Sequence, residues 1–228
     1  MCAITRTIPS HYEQFAVLRD GHLYYDFEKC LCFLNSKGRQ IYGNNFEICP
    51  LDRQIIYKLL VLAIQDEKCV TDCGLNVKKG ILLSGPVGCG KTALMNLIRF
   101  FSIYQEALII KPCRDIAFEF QKDGFEVIRR YASLSWHPAT ATPKVKSFCF
   151  DDLGTEQSLK HFGQECNIMA EIILSRYDHF IRYKAITHFT TNLSADEIET
   201  IYGPRVRSRL REMCNLIAFP KDSPDKRK

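Results

Sequence analysis

The stretch from Gly80 to Leu97 has the sequence GILLSGPVGCGKTALMNL. Within it, residues 85–92 (GPVGCGKT) match the phosphate-loop pattern G-x-x-x-x-G-K-[ST]. The apolar run Ile81–Leu83 before the loop predicts a buried strand, and the apolar residues between Ala93 and Ile98 recur at helical spacing. Because a strand, a glycine loop and a helix in this order are the context that the pattern requires, the stretch predicts a nucleoside triphosphate site.

The residue types in this loop suit the chemistry of a triphosphate. Several backbone N–H groups must converge on the phosphate oxygens, and glycines leave room for that approach. Lys91 would place its ammonium against the β- and γ-phosphates at a helix N-terminus, and the Thr92 hydroxyl would bind Mg²⁺. The predicted cofactors are therefore ATP and Mg²⁺. The predicted nucleotide-binding residues are Gly85, Pro86, Val87, Gly88, Cys89, Gly90, Lys91, Thr92 and Ala93.

Length and composition favour one main domain without a membrane segment. The 228 residues suffice for one sizeable α/β core, and a net charge of +5 suits phosphate-bearing partners or ordinary solubility. The 11 cysteines are odd in number and follow no secretory signal, so free thiols in a cytoplasmic protein are expected. Cys30, Cys32 and Cys49 could suggest zinc, but they do not complete a four-ligand pattern.

Apolar strands alternate with helices along most of the chain. Strands are predicted at Ile81–Leu83, Ala107–Ile110, Ser147–Phe150, Ala185–Thr191 and Asn215–Phe219. Helices are predicted at Leu51–Gln65, Asp115–Tyr131 with a break near Gly124, and Glu165–Tyr177, with a polar linker at Asp66–Lys79 and a loop at Ser133–Lys144. This alternation predicts a five-stranded parallel sheet with helices on both faces, and its ligand belongs at the carboxyl ends of the strands.

The chain ends differ in character from the central part. Residues 1–45 are rich in aromatic side chains with glycines at short intervals, which predicts a short helical or mixed appendage whose aromatic residues either pack together or face a partner. Residues 46–220 form the predicted ATP-binding domain, and residues 221–228 are predicted to be disordered.

Two carboxylates end the third predicted strand in SFCFDDLG, residues 147–154. An apolar strand followed by two acids is a weak signal alone, but about sixty residues beyond a phosphate loop it has the form of a Walker B segment. Asp151 would hold Mg²⁺, and Asp152 would orient or deprotonate the attacking water. Since Asp is one methylene shorter than Glu, slow hydrolysis is expected. Glu156 could reach the same water or simply begin a helix.

A polar group ends the fourth predicted strand at Thr190-Thr191-Asn192. A side chain between the two Walker segments can contact the γ-phosphate or the lytic water, and Asn192 is our candidate. The alternative is an ordinary turn residue.

An arginine-rich helix is predicted after Pro204, in YGPRVRSRLREM at residues 202–213. At helical spacing its apolar residues form one face, with Arg205 and Arg209 along one edge and Arg207 and Arg211 on the opposite side. Arg205 or Arg209 would stabilise the transition state at a neighbouring subunit's γ-phosphate, as an arginine finger does. A row facing nucleic acid and plain solvated charge are the alternatives.

Together, GPVGCGKT, FCFDDLG, TTNL and YGPRVRSRLREM resemble the AAA+ ATPases of the DnaC-type helicase loaders and IstB-type transposition helpers, over residues 46–219. The resemblance implies that Lys91 and Thr92 belong to Walker A, Asp151 and Asp152 to Walker B, and that Asn192 is sensor 1. It implies that Arg205 is the box VII arginine and Arg209 the second arginine of the family, and that the protein is a homo-oligomer without a separate helical lid. The short region before residue 46 carries no motif of the domain with which the loaders grip a helicase.

Two classes of function follow. The first is an ATPase switch that assembles on DNA, preferably single-stranded, and loads or regulates a partner such as a helicase or transposase. The second is an AAA+ regulator or remodeller of a protein partner without DNA, which an aromatic pore loop near Trp136 would favour. A small-molecule kinase fits less well, because paired acids and paired arginines suit hydrolysis between subunits.

Overall fold

The chain divides into two units, residues 1–57 and 58–228. The structure, a computed structural model, describes residues 10–101, 108–132, 146–156, 159–161 and 164–227. The first unit contains β1 (Ala16–Arg19), β2 (His22–Tyr25) and α1 (Phe27–Tyr42). The division falls within α2 (Arg53–Ile64). This helix corresponds to the one predicted at Leu51–Gln65, but its predicted first turn is replaced by a 3-10 turn at Pro50–Asp52.

The first unit is a hairpin followed by one helix. Asp20 and Gly21 both have positive φ, 48° and 75°, which is the backbone that a two-residue turn needs between antiparallel strands. The Asp26 side chain accepts a hydrogen bond from the Lys29 N–H and caps α1. Most aromatic side chains pack together: Phe15 is buried and its ring centroid lies 4.8 Å from that of Phe33.

The second unit is built on a five-stranded sheet in the order β4-β5-β8-β3-β9. All neighbouring strands in it are parallel, as predicted. In chain order, the elements of this unit are α3 (Glu67–Asp72), β3 (Gly80–Ser84), α4 (Lys91–Ile98), β4 (Ile109–Pro112), α5 (Cys113–Asp123), α6 (Glu126–Tyr131), β5 (Phe148–Leu153), β6 (Leu159–His161), β7 (Gln164–Cys166), α7 (Ile168–Tyr183), β8 (Thr187–Thr191), α8 (Ala195–Tyr202), α9 (Pro204–Met213) and β9 (Cys214–Ala218).

One large core joins the sheet to the helices that follow it. Phe150 on β5 and Phe189 on β8 are fully buried, with ring centroids 5.7 Å apart, and α5, α7, α8 and α9 add apolar side chains around them. The helical break predicted near Gly124 is confirmed, because Gly124 has φ +59° and separates α5 from α6. Burial of this shared core fixes the positions of the strand ends, and therefore also the positions of the polar groups that follow them.

Several predicted boundaries differ from those observed. The predicted linker at Asp66–Lys79 contains α3, whose first turn is capped by Asp66. The antiparallel pair β6–β7 precedes α7, so this helix begins at Ile168 and not at Glu165. Strand β5 does not end at Phe150 but continues through both acids to Leu153. The predicted loop at Ser133–Lys144, with Trp136, lies outside the described residues.

The chain after β9 also departs from expectation. We predicted disorder for residues 221–228, but in residues 221–227 the Ser223 N–H donates to Pro220 O at 3.1 Å and the Lys226 N–H donates to Gly88 O at 3.0 Å. No helix follows β9 in the residues that the structure describes. Across those same residues, no helix combines the length and hydrophobicity needed to cross a bilayer.

Candidate functional site

The predicted phosphate loop joins the carboxyl end of β3 to the first turn of α4. Gly88 and Gly90 have φ of +79° and +99°, in the region that side chains with a Cβ rarely adopt. Gly85 is needed for space, because a Cβ there would lie 2.6 Å from the Cβ of Phe219. The sequence therefore places glycine wherever the loop backbone or its packing excludes other residues.

Lys91 begins α4 and is buried, with 5% of its surface exposed. Its Nζ donates to the Gly85 and Pro86 carbonyl oxygens, both at 2.9 Å. The ammonium is thus held across the loop, at the positive end of the helix dipole. That combination of ammonium and helix N-terminus favours an anion.

Thr92 lies against Asp151 from the second predicted segment. The Thr92 hydroxyl is 3.0 Å from Oδ1 and 2.9 Å from Oδ2 of the Asp151 carboxylate. A hydroxyl and a carboxylate are the oxygen ligands that Mg²⁺ prefers. The two residues that we predicted as metal ligands are therefore together, and their chemistry fits the ion.

A β-bulge shapes the end of β5. Phe150 pairs with Phe189 and Leu153 pairs with Thr191, so two residues of β5 lie opposite the single residue Thr190 of β8. Those two residues are Asp151 and Asp152. Asp152 has φ +55°, an uncommon conformation for a residue with a side chain and one often found at functional sites.

Thr190 connects the two acids and is a residue that our sequence prediction missed. Its hydroxyl donates to Asp151 Oδ1 at 2.6 Å, and the Asp152 N–H donates to the Thr190 hydroxyl at 2.8 Å. The Thr190 hydroxyl thus supplies a hydrogen bond to the buried Asp151 carboxylate and, by accepting one from the Asp152 N–H, stabilises the bulge. The sequence signal was the pair Thr190-Thr191 ahead of Asn192, but only the strand pairing shows which hydroxyl faces the acids.

Burial sets the charge preference of Asp151, which is 5% exposed. Removal from water raises the pKa of this carboxyl above its usual range, and the hydrogen bonds from Thr190 and Thr92 only partly oppose the increase. Lys91 favours the charged form to a smaller extent. A bound cation would stabilise the charged form of the Asp151 carboxylate, because it would replace the stabilisation that water supplies to an exposed carboxylate.

Asn192 follows the last residue of β8 and is exposed. The Gly85 N–H donates to Thr191 O at 3.1 Å, so the chain leaves β8 beside the first residue of the phosphate loop. This places Asn192 at the edge of the candidate site, between the segments predicted as Walker A and Walker B.

Glu156 does not begin a helix, because the next described residues, 159–161, form β6. Its carboxylate accepts hydrogen bonds from the Gly154 N–H at 3.0 Å and from the Tyr202 hydroxyl. Burial raises the pKa of the Glu156 carboxyl. Glu156 therefore joins the turn after the two acids to the end of α8, immediately before the arginine-rich helix.

The arginine-rich helix α9 has the predicted apolar face, since Val206, Leu210 and Met213 are buried. Arg205 is exposed, whereas the Arg209 guanidinium lies 4.3 Å from the centre of the Tyr177 ring. In the described part of the chain, no hydrogen bond or ion pair joins either arginine to the phosphate loop or to the two acids. One copy thus brings together the loop, the acids and Asn192 but not Arg205 or Arg209.

Comparisons with known proteins find likeness in structure only. No protein-family model matches the sequence, and no curated protein matches it either. The DnaC helicase loader has a similar structure, with a TM-score of 0.52 and 16% identity over 78% of this chain and 95% of that one. A protein described as a primosome component from Streptococcus pyogenes serotype M3 has a TM-score of 0.52 and 15% identity, over 82% of this chain and 90% of that one.

The chain has the same α/β fold as these two proteins. The predicted fold class is confirmed by this likeness and by the five parallel strands. In this sheet, β8 lies between β5 and β3, so the phosphate loop, the two acids and Asn192 all follow adjacent strand ends. Ligands of open parallel sheets bind at such carboxyl ends.

Proposed function

We propose that this chain is an ATP-binding and ATP-hydrolysing AAA+ switch that assembles on DNA and loads or regulates a DNA-handling partner. The observation that carries the proposal is the contact of Thr92 with both carboxylate oxygens of Asp151, at 3.0 and 2.9 Å, across 59 positions of sequence. A glycine turn that matched the pattern by chance would have no reason to meet the acids of a second segment.

The residues of one copy have distinct roles in this proposal. The N–H groups of the phosphate loop and the Lys91 ammonium bind the β- and γ-phosphates. Thr92 and Asp151 hold Mg²⁺, which neutralises charge on the phosphate oxygens when it is bound. Asp152 orients the attacking water and accepts its proton, while Asn192 positions the water or the γ-phosphate. The strained backbone of Asp152 supports this assignment, because three hydrogen bonds to its backbone hold it in place.

A second copy would supply the remaining positive charge. Arg205 is the better candidate for the arginine finger, because Arg209 stacks on Tyr177 of its own chain, and Tyr177 donates to Glu212 at 2.8 Å. An exposed guanidinium beside a buried apolar helix face can reach a neighbour's γ-phosphate without loss of its own packing. The active form is therefore proposed to be a homo-oligomer.

DNA as the polymer partner is supported by the motif resemblance to helicase loaders and transposition helpers and by the net charge of +5. The DnaC protein of similar fold is a helicase loader. A helicase or a transposase is accordingly the class of partner proposed here.

Fluorescence anisotropy with labelled single-stranded and duplex DNA tests the DNA part of the proposal. Binding should be stronger with MgATP than without it, should favour the single strand, and should fall steeply with salt as counterions are released. The Lys91→Met variant, which should not bind ATP, is the matched control for the nucleotide effect. If the protein binds MgATP but neither DNA at low salt, a regulator of a protein partner becomes the better account.

A further inference from the structure

The chain that follows β9 returns to the phosphate loop. The Phe219 N–H donates to Ser84 O at 2.8 Å, which continues the pairing of β9 with β3 to the start of the loop. Farther along, the Lys226 N–H donates to Gly88 O at 3.0 Å, and Lys226 Nζ donates to Cys89 O at 2.6 Å. One lysine therefore binds two successive carbonyl oxygens of the loop.

These contacts fix the direction of two loop peptides. In a planar trans peptide, the C=O group and the N–H of the next residue point in opposite directions. By holding the Gly88 and Cys89 carbonyls on one side, Lys226 orients the N–H groups of Cys89 and Gly90 toward the other side. The Cys89 N–H also lies 3.4 Å from Pro86 O, a long distance for a hydrogen bond. Both amides belong to the set that the sequence predicts around the phosphates.

The tail packs closely on the loop glycines. A Cβ at Gly88 would lie 2.1 Å from Oδ1 of Asp225, and a Cβ at Gly85 would lie 2.6 Å from the Cβ of Phe219. The Lys226 ammonium also lies 5.0 Å from the centre of the Phe219 ring, so this ring helps to position the lysine. Asp225 Oδ1 is itself engaged, because it accepts the Arg227 N–H at 3.0 Å.

We propose that Lys226 is a positioning residue, which braces the phosphate loop from its carbonyl side and keeps the loop amides directed at the nucleotide. The proposal deepens the ATP-binding function and rests on it. The positive charge of Lys226 beside the loop also favours binding of a polyanionic ligand, whereas the nearby negative charge of Asp225 partly opposes such binding. In this proposal, a lysine that is far from the predicted Walker segments in sequence contributes to nucleotide affinity.

Nucleotide affinity of point variants tests this inference. Lys226→Met keeps the apolar stem but removes the ammonium, Lys226→Arg keeps the charge, and Lys221→Met makes the same charge change at an exposed tail lysine. In calorimetric titrations, Lys226→Met should weaken MgATP and MgADP binding about tenfold, the size expected for a charge-assisted hydrogen bond. Lys226→Arg should recover much of the loss, and Lys221→Met should stay within about twofold of the wild type. Equal affinities of Lys226→Met and Lys221→Met, or tighter binding by Lys226→Met, would overturn the brace.

Hydrogen exchange without nucleotide separates this inference from the proposed function. Peptides that cover residues 85–92 should take up deuterium faster in Lys226→Met than in the wild type, and Lys221→Met should leave the uptake unchanged. If the wild type binds no nucleotide, the proposed function fails, while this measurement still judges the brace. Unchanged uptake in Lys226→Met would show that the loop does not depend on Lys226.

Discussion

At the scale of single residues, the candidate site depends on Asp151, Asp152 and Thr190. The bulge at the end of β5 gives the two acids different surroundings, because Asp151 is buried against two threonine hydroxyls and Asp152 is only half-buried. In the described part of the chain, no hydrogen bond engages the Asp152 carboxylate. One acid is thus suited to a metal ion and the other to a water molecule.

Asp152→Asn should abolish most hydrolysis and leave nucleotide binding intact. Asn tolerates the positive φ of +55° at this position, so the bulge should form as in the wild type. Loss of a general base costs about 10²- to 10⁴-fold in rate, while MgATP affinity should stay within about twofold because Asp152 is not assigned to binding. Phosphate release and nucleotide titration measure the two quantities, with Asp222→Asn in the exposed tail as control. A wild-type rate in Asp152→Asn would exclude this role.

Asp151→Asn should change how stability depends on pH. Because burial raises the pKa of Asp151, folding favours its protonated form. Its contribution to the free energy of unfolding is present below the ordinary carboxyl pKa of about 4 and is lost as the pH rises through the raised value. Asn does not titrate, so the unfolding free energy of the variant minus that of the wild type should increase as the pH rises above about 4.

Urea denaturation without Mg²⁺ and nucleotide measures this difference, and Asp222→Asn again serves as the control. Saturating Mg²⁺ should reduce the difference at neutral pH, since a cation would stabilise the wild-type carboxylate. A difference that is the same at every pH would mean that the Asp151 carboxyl is not destabilised by burial.

At the scale of secondary structure, the sequence predicted the elements better than their ends. The apolar run Ile81–Leu83 and the glycines near it were sufficient to predict a strand followed by a loop, because the local sequence pattern alone determines these elements. The extension of β5 to Leu153 and the bulge at Asp152 were not predicted, since both depend on pairing with β8, a strand almost forty positions away. The choice between Arg205 and Arg209 likewise required the position of Tyr177 on α7.

Gly38 in α1 offers a test of packing at this scale. Replacement of a helical glycine by alanine normally stabilises a helix by about 1 kcal/mol. At Gly38, however, a Cβ would lie 2.0 Å from a ring atom of Phe46, with two further ring atoms within 2.8 Å. The whole ring would have to move, so Gly38→Ala should destabilise the protein by about 1–3 kcal/mol.

Chemical denaturation followed by circular dichroism measures this effect. Ser36→Ala on the same helix is the matched control, because Ser36 is exposed and its replacement should be neutral or slightly stabilising. Gly38→Ala as stable as Ser36→Ala would show that Phe46 does not pack on α1 in this way.

At the scale of the whole molecule, one copy holds most of the proposed hydrolysis site but not all of it. The phosphate loop, the proposed metal ligands, Asp152 and Asn192 follow adjacent strand ends of one sheet. Arg205 is exposed on α9 and has no bond to that site within the described residues. Lys226 contacts the loop from its carbonyl side, and the Glu156 carboxylate connects the turn after the acids to the end of α8. These features support a site that is completed by a neighbouring copy.

Mixing two inactive variants tests this central claim most directly. Lys91→Ala removes the loop lysine but keeps Arg205, and Arg205→Ala keeps the loop but lacks the arginine, with Arg211→Ala as a control in the opposite basic row. Each of the first two variants alone should lose about 10³-fold of the ATPase rate, while Arg205→Ala still binds MgATP. Combined in equal amounts with DNA present, they should recover a clear fraction of the wild-type rate, since some sites would pair an intact loop with an intact Arg205. A mixture as inactive as its components, or full activity in Arg205→Ala alone, would contradict the shared site.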